Sequence, residues 1–312
     1  MRLHQFITRV GLALSLSTAA STYGHASEYA FSTYALGESA FSAGVTPPAG
    51  FYVTDVVGYT SSQVKGAVEF GSIVLNGGAK ADSFYTGLNL LYVPDRKVLG
   101  GDLGLSITVP ASYADYKASV GIGALSAFDE VAGWGFGDVI PRVQLGWQRG
   151  DFAHTVYLEV ITPTGYWVSG FQPITGLHRP GIDTGWAFTW TDKQTKLQVN
   201  GTAGFTFNFE NTATSYQSGN EFHFEWAVGI ECMKGLVIGF AGYDYRQITG
   251  DSGSGDKIGA FMGSVDAVGG GLSYSTVIDK RPVTFNLRYY HDYEYENHFH
   301  GDSTIASTTV RF

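Results

Sequence analysis

The chain of 312 residues carries 19 lysines and arginines against 28 aspartates and glutamates, a formal net charge of −9. So acidic a chain is a poor partner for a phosphate backbone, which excludes nucleic-acid binding as a leading function. Its single cysteine, Cys232, excludes an internal disulfide.

The first element reads as a cleavable signal peptide over residues 1–26. Arg2 and Arg9 make a basic start, Val10 to Leu16 is a short apolar stretch, and Gly24-His-Ala26 offers small residues for cleavage. The apolar stretch is too short for a membrane helix. Residues 27–48 follow as an N-terminal periplasmic or plug segment. They are rich in Gly, Ser and Ala and carry Tyr29, Phe31, Tyr34 and Phe41. Pro47-Pro48 sets a stiff, extended approach to the next element. Two expectations stand side by side. The segment is a disordered leader, or it folds up into a lumen where its aromatics meet an aromatic ligand.

From residue 49 to 312 the pattern is all-β. Twelve segments read as strands: 50–59, 83–93, 101–109, 138–147, 152–162, 182–190, 195–209, 221–232, 235–246, 263–276, 282–292 and 301–312. Several alternate cleanly. Phe222, Phe224, Trp226, Val228 and Ile230 share one face, against His223, Glu225 and Glu231 on the other. No apolar run after the signal is long enough for a spanning helix. If the chain crosses a membrane it must do so as a closed barrel, because only helices and closed barrels satisfy every backbone group in lipid.

The connections alternate too. Those at 60–82, 110–137, 163–181, 210–220, 247–262 and 293–300 are mostly long. Those at 94–100, 148–151, 191–194, 233–234 and 277–281 are short and carry Arg96, Lys97, Arg149, Lys193, Lys234, Lys280 and Arg281. Short periplasmic turns, long outer loops and an even strand count are the habit of bacterial outer-membrane barrels. The expected fold is a transmembrane antiparallel up-and-down β-barrel of about twelve strands. Tyr52, Tyr92, Trp147, Trp186, Trp190, Trp226 and Tyr274 are candidates for its interfacial girdles. A chain end at Ser307-Thr-Thr-Val-Arg-Phe312 suits a last strand with an aromatic at the membrane rim.

Five stretches carry a family likeness: Tyr34-Ala-Leu-Gly37, Gly44-Val-Thr-Pro-Pro-Ala-Gly-Phe-Tyr-Val53, Gly135-Phe-Gly-Asp-Val-Ile-Pro-Arg-Val-Gln-Leu-Gly-Trp147, Thr162-Pro-Thr-Gly165 and Val265-Asp-Ala-Val-Gly-Gly-Gly-Leu-Ser-Tyr274. In order and spacing the chain resembles the family of outer-membrane proteins named for the meta-pathway of phenol degradation. The resemblance implies a barrel linked to the handling or uptake of aromatic or other hydrophobic compounds. It brings no catalytic motif with it.

The polar face supplies the candidate lumen lining: Arg142, Glu159, Asp183, His223, Glu225, Glu231, Arg288, Tyr290 and Asp292, with Asp102, Gln144, Tyr157, Asn200 and Asn286 beside them. Charges away from bulk water need partners, so Arg142 and Arg288 are expected to pair with Glu159, Glu225 or Glu231. Such a lattice either rigidifies a sealed barrel or lines a selective path for neutral or cationic solutes. No serine motif accompanies the histidines, so no catalytic residue is expected. His298-Phe-His300 has a permissive metal spacing but reads as an acidic loop with chance histidines. The expected function is an outer-membrane channel or transporter for small hydrophobic compounds, with aromatic ones as candidates. The alternative is a structural or surface-interaction barrel with a sealed lumen. Outer-membrane lipid and a small hydrophobic or aromatic solute are the expected partners. A monomer without metal or cofactor is expected.

Overall fold

The structure is a computed structural model that describes residues 28–70, 73–122, 125–168, 175–256, 259–260 and 262–312. The expected signal peptide, 1–26, lies outside the described residues. After a short turn at Glu28–Ala30 and an irregular stretch, the chain is strand almost throughout: β1 (Gly50–Phe70), β2 (Ile73–Val93), β3 (Lys97–Val98), β4 (Gly101–Ile122), β5 (Leu125–Phe136), β6 (Ile140–Arg149), β7 (Phe152–Ile161), β8 (Gly181–Thr191), β9 (Leu197–Asn208), β10 (Glu221–Met233), β11 (Leu236–Gln247), β12 (Ser264–Ile278), β13 (Arg281–Glu296) and β14 (His300–Arg311).

Neighbouring strands are antiparallel, and the ring is closed. β1 pairs with β14 from Tyr52↔Arg311 to Gln63↔His300, and β2 pairs with β4 from Ala79↔Ala118 to Tyr92↔Leu105. β3 is a two-residue ladder in a turn, and β5 pairs only with β4, so the closed wall has twelve strands. β5 and β6 are one wall strand interrupted at 137–139. Both pair with β4, on either side of Pro110, which offers no backbone N–H to the ladder.

Two expected loops are overturned. The described residues of 60–82 and 110–137 continue the ladders as tall hairpins, with β1 pairing β2 from Gly50↔Val93 to Phe70↔Ile73 and β4 pairing β5 from Ala111↔Phe136 to Ile122↔Leu125. Past the belt the outward row turns polar, at Ser61, Lys65, Lys80, Asp82, Asp115 and Lys117, while Val64, Ala79, Ala81, Ala114 and Tyr116 turn inward onto Tyr29 and Phe299. The oily alternation that marks a strand in the sequence therefore stops before the strand does.

The outer surface carries a band of large apolar side chains that includes Leu88, Ile107, Leu158, Trp186, Phe205, Ile230, Phe240 and Leu287, each 40–71% exposed. A soluble protein does not leave so continuous a belt in water. On β1 the outward row runs from Phe51 to Tyr59, eight residue steps, a rise of about 20 Å for a tilted strand, close to the belt of an outer-membrane barrel. Tyr92, Trp147, Trp190 and Tyr274 lie toward the short-turn end of this belt. Trp186 and Trp226 stand mid-strand within it. Tyr52 does not belong to a girdle: it points inward, is 6% exposed, and donates its hydroxyl to the Pro48 carbonyl at 2.5 Å. Period two puts Phe51, not its neighbour, on the lipid side.

A lysine in the middle of the belt must lose its water. Phe240→Lys is expected to cost roughly 2–4 kcal/mol of unfolding free energy in lipid. Thr60→Lys, on the inner face of β1, is expected to cost little. Denaturant titration of both variants in vesicles measures the difference.

Candidate functional site: a strapped lumen

A twelve-stranded ring is wider than the eight-stranded kind that wall side chains can fill. Here residues 28–49 occupy part of the space. They run as a strap from the foot of β1 up the inner wall of β7–β10 to the loop end. At the foot, Arg311 Nη2 donates to the Ala49 carbonyl at 2.5 Å. Gly44 lies against β8, its N–H donating to Thr189 Oγ1 at 3.0 Å and its carbonyl accepting from Thr155 Oγ1 at 3.0 Å. A Cβ on Gly44 would stand 2.5 Å from the Phe188 backbone, so only glycine allows this approach.

Higher up, wall side chains take the place that water or another strand would hold for the strap backbone. The N–H groups of Ser42, Ser39 and Thr33 donate to Asn200 Oδ1 (2.9 Å), Glu225 Oε2 (3.1 Å) and Glu221 Oε2 (3.0 Å). From β13, Arg288 donates to the Gly37 carbonyl at 3.1 Å and to that of Glu38, and the Tyr290 hydroxyl reaches Gly37 at 3.2 Å. Gly37 has φ +83°, which lets the strap turn between the two walls.

At the loop end a fully buried arginine, Arg179, pins the strap. Its guanidinium donates to the carbonyls of Phe31 (2.7 Å) and Glu28 (3.2 Å), to Thr33 Oγ1 (2.8 Å) and to Ser218 Oγ (2.6 Å). Phe31 stacks on Phe299 with centroids 4.5 Å apart, and Trp167 donates to the Tyr29 hydroxyl at 2.5 Å. Burial pushes the carboxyls of Glu28 and Asp251 above the usual range, with Asn211 and Tyr216 respectively opposing it by hydrogen bonds. His298, in the turn between β13 and β14, is buried and held down to about 4, so its ring is neutral at physiological pH. Its Nδ1 faces the Phe299 carbonyl at 2.5 Å. Among the described residues no group of three or more possible ligands is placed to hold a metal ion.

The anticipated lining residues divide into three sets. Arg142 and Glu159 form an ion pair at 2.8 Å, with the guanidinium 4.1 Å from the Tyr157 ring centroid. Asp183, His223 and Glu225 lie together behind the strap. Asp183 accepts from His223 Nε2 at 2.9 Å, and Tyr34 lies flat on the His223 ring at 3.6 Å. Asp292 accepts from the Tyr243 hydroxyl at 2.6 Å. Arg288 departs from expectation: its hydrogen bonds go to strap carbonyls, because the strap stands between it and the acids of β10. Glu231 departs too. It sits beside the short turns, 3.7 Å from Lys196, outside the cavity. Of the aromatic candidates, Tyr29 is buried against Trp167. Phe31, Tyr34 and Phe41 pack on the wall with one side toward the cavity. Arg179, Glu221 and Glu38 were not anticipated. Glu221 shares the inward row of His223 and Glu225, a period-two signal that was there to read. Arg179 lies in a stretch with no pattern, and Glu38 is placed only by the strap's path.

The strap leaves the opposite half of the lumen open as a cavity of about 770 Å³. Its far wall is β14, β1, β2 and β4, whose cavity-facing residues there include Ser307, Thr54, Thr60, Ser83, Asn89, Ser106, Thr108 and Ser112, with no charge among them. Charge enters from the strap side and from β6, β7, β8 and β13, at Glu38, Arg142, Glu159, Asp183, Arg288 and Asp292.

The chain matches the family described as "MetA-pathway of phenol degradation" over residues 54–307. Among solved structures it is similar to the COG4313 outer membrane channel from Pseudomonas putida F1, at 15% identity and a TM-score of 0.62, with 86% of this chain and 97% of that one covered. It also aligns with the beta domain of the Bordetella autotransporter BrkA, at 10% identity and a TM-score of 0.44, over 85% and 100% of the two chains. A Pseudomonas aeruginosa FadL homologue aligns at 6% identity and a TM-score of 0.41, over 84% and 90%. No curated protein sequence matches. With the closed wall and its oily belt, the profile match and the shared fold place the chain in the bacterial outer membrane.

Removing the Arg179 pin leaves buried carbonyls and carboxylates without their cation. Arg179→Met is expected to cost about 3–5 kcal/mol and to open the strap to protease in the folded barrel. Gly44→Val is expected to free the strap's lower half without unfolding the wall. Limited proteolysis read by mass spectrometry separates the two. The depressed His298 contributes stability that is present above pH 6.5 and lost as pH falls toward 4, at most about 3 kcal/mol. Unfolding midpoints at pH 7 and 4.5 are expected to differ less for His298→Asn than for the unaltered chain.

Proposed function

The chain belongs to the family described as "MetA-pathway of phenol degradation", and we propose that it is an outer-membrane channel for small hydrophobic compounds, aromatic ones among them. The observation that carries this reading is the half-open lumen. Solutes pass along the uncharged wall of β14, β1, β2 and β4, opposite the strap. Hydroxyls and small side chains there neither repel nor trap a neutral molecule. Leu36, Val56, Leu91, Ile140 and Ile161 add apolar lining that a hydrated ion would not favour. Glu38, Arg142, Glu159, Asp183, Arg288 and Asp292 form a mixed-charge belt beside the path, with four carboxyls against two guanidiniums, and this belt disfavours free passage of anions most.

One observation favours the sealed-barrel alternative. The strap is tied to the wall by hydrogen bonds from Glu28 to Ala49, which supports a lumen held shut on that side. The two readings differ in what crosses the barrel.

In planar bilayers the protein is expected to give small single-channel currents that phenol or another neutral aromatic alcohol blocks reversibly. Alanine at both Arg142 and Glu159 is expected to raise the conductance a few-fold. A strap lock adds the decisive arm. Ser39 Oγ lies 2.5 Å from Thr202 Oγ1, so cysteines at both positions, with Cys232→Ser, can be joined by oxidation. Current and block should survive locking. Current lost on oxidation and restored by reductant would mean that the strap must move. A silent bilayer would favour the sealed barrel.

A further inference from the structure

The outer belt is oily except at one place. Asp55 stands on the outward row of β1, four residues from Phe51 at one edge of the belt and four from Tyr59 at the other. It is exposed and lies at mid-depth. Outward charges nearer the loop end, beyond the mid-band residues of their strands, have partners there: Asp82 accepts from Ser61 Oγ at 2.7 Å, and others form ion pairs. His291 pairs with Asp302 at 2.8 Å, and Arg246 with Asp266 at 2.8 Å. Asp55 has no cation. Thr86 Oγ1 donates to its Oδ1 at 3.0 Å, and Oδ2 has no donor among the described residues. A carboxylate with one hydrogen bond is poorly served by hydrocarbon and calls for a further donor.

The residues around it depart from the rest of the belt in the same direction. Ser303, Ile305 and Ser307 of β14 face the cavity, so Thr304, Ala306 and Thr308 face out. Thr308 stands directly opposite Asp55 in the ladder, and Ala306 opposite Val57. The face of β14 and β1 therefore offers hydroxyls and small side chains where β8–β11 offer Trp186, Phe205, Trp226 and Phe240.

We propose that this face is a membrane-embedded interface with a second copy of this chain. A two-fold axis along the membrane normal, passing between β1 and β14, exchanges the two strands. It brings Asp55 to the depth and position of the partner's Thr308, and Thr308 to the partner's Asp55. Each threonine hydroxyl then supplies the donor that Oδ2 lacks, twice over by symmetry. Ala306 and Val57 allow the two walls to approach closely enough for those bonds to form. The interface leaves the lumen untouched, so it stands apart from the channel reading.

The test uses full-length protein in native outer membranes, in a Cys232→Ser background. Ala306→Cys treated with a short bismaleimide is expected to give a covalent dimer, and Val228→Cys on β10 is not. Asp55→Leu and Thr308→Val, each added to Ala306→Cys, should lower the dimer yield at least about five- to tenfold, the scale of the two symmetry-related hydrogen bonds that each variant removes. Heat-modifiable migration on gels checks that each barrel is folded. If Asp55→Leu does not fold, Thr308→Val carries the same test alone. Monomer only, equal yields from the two cysteine positions, a cross-link to a different protein, or a dimer indifferent to the variants that fold would overturn the proposal.

Discussion

Backbone hydrogen bonding in lipid is the constraint from which this molecule follows. No water is present in the hydrocarbon to serve an open strand edge, so the first strand must find the last. The ladder between β1 and β14, from Tyr52↔Arg311 to Gln63↔His300, meets that demand. Once the ring is shut, alternation gives every strand an oily side and a wet side. The large exposed side chains then cease to be a liability and become the membrane contact.

Closure creates the second problem. Twelve strands enclose more space than their own side chains fill, and an unfilled polar lumen is simply water. The strap uses that space on one side only. Its backbone has no ladder partner, so side chains of β7–β10 and β13 serve it instead, and several of them are charged. Glu221 and Glu225 accept from strap N–H groups while Arg179 and Arg288 donate to strap carbonyls. The charges of the inner wall therefore hold the strap as much as they line a path. The uncharged half that remains is the part of the lumen suited to a neutral solute.

This arrangement also accounts for where the anticipated ion-pair lattice failed. Arg142 met Glu159 because the two sit opposite each other in one ladder, a relation set by strand register. Arg288 had no such neighbour. A segment from the far end of the sequence came between it and the acids, and it bonded to that segment's carbonyls. Glu231 shares a face with Glu225, but six residues along a strand moved it out of the cavity and into the turns.

Period two, the rhythm of short and long connections, and the absence of a long apolar run were enough to establish a closed barrel with its oily side outward, because alternation is a local property of neighbouring residues. The inward row of β10 was legible for the same reason. The height of the hairpins was not, since past the belt the outward row turns polar and the oily-outward pattern that betrays a strand is lost. Nor was the strap's course: residues 28–49 carry no period, and Gly37, Gly44 and Arg179 acquire their roles only when the wall is built around them. Which half of the lumen stays open was decided in three dimensions, by hydrogen bonds between groups more than a hundred residues apart.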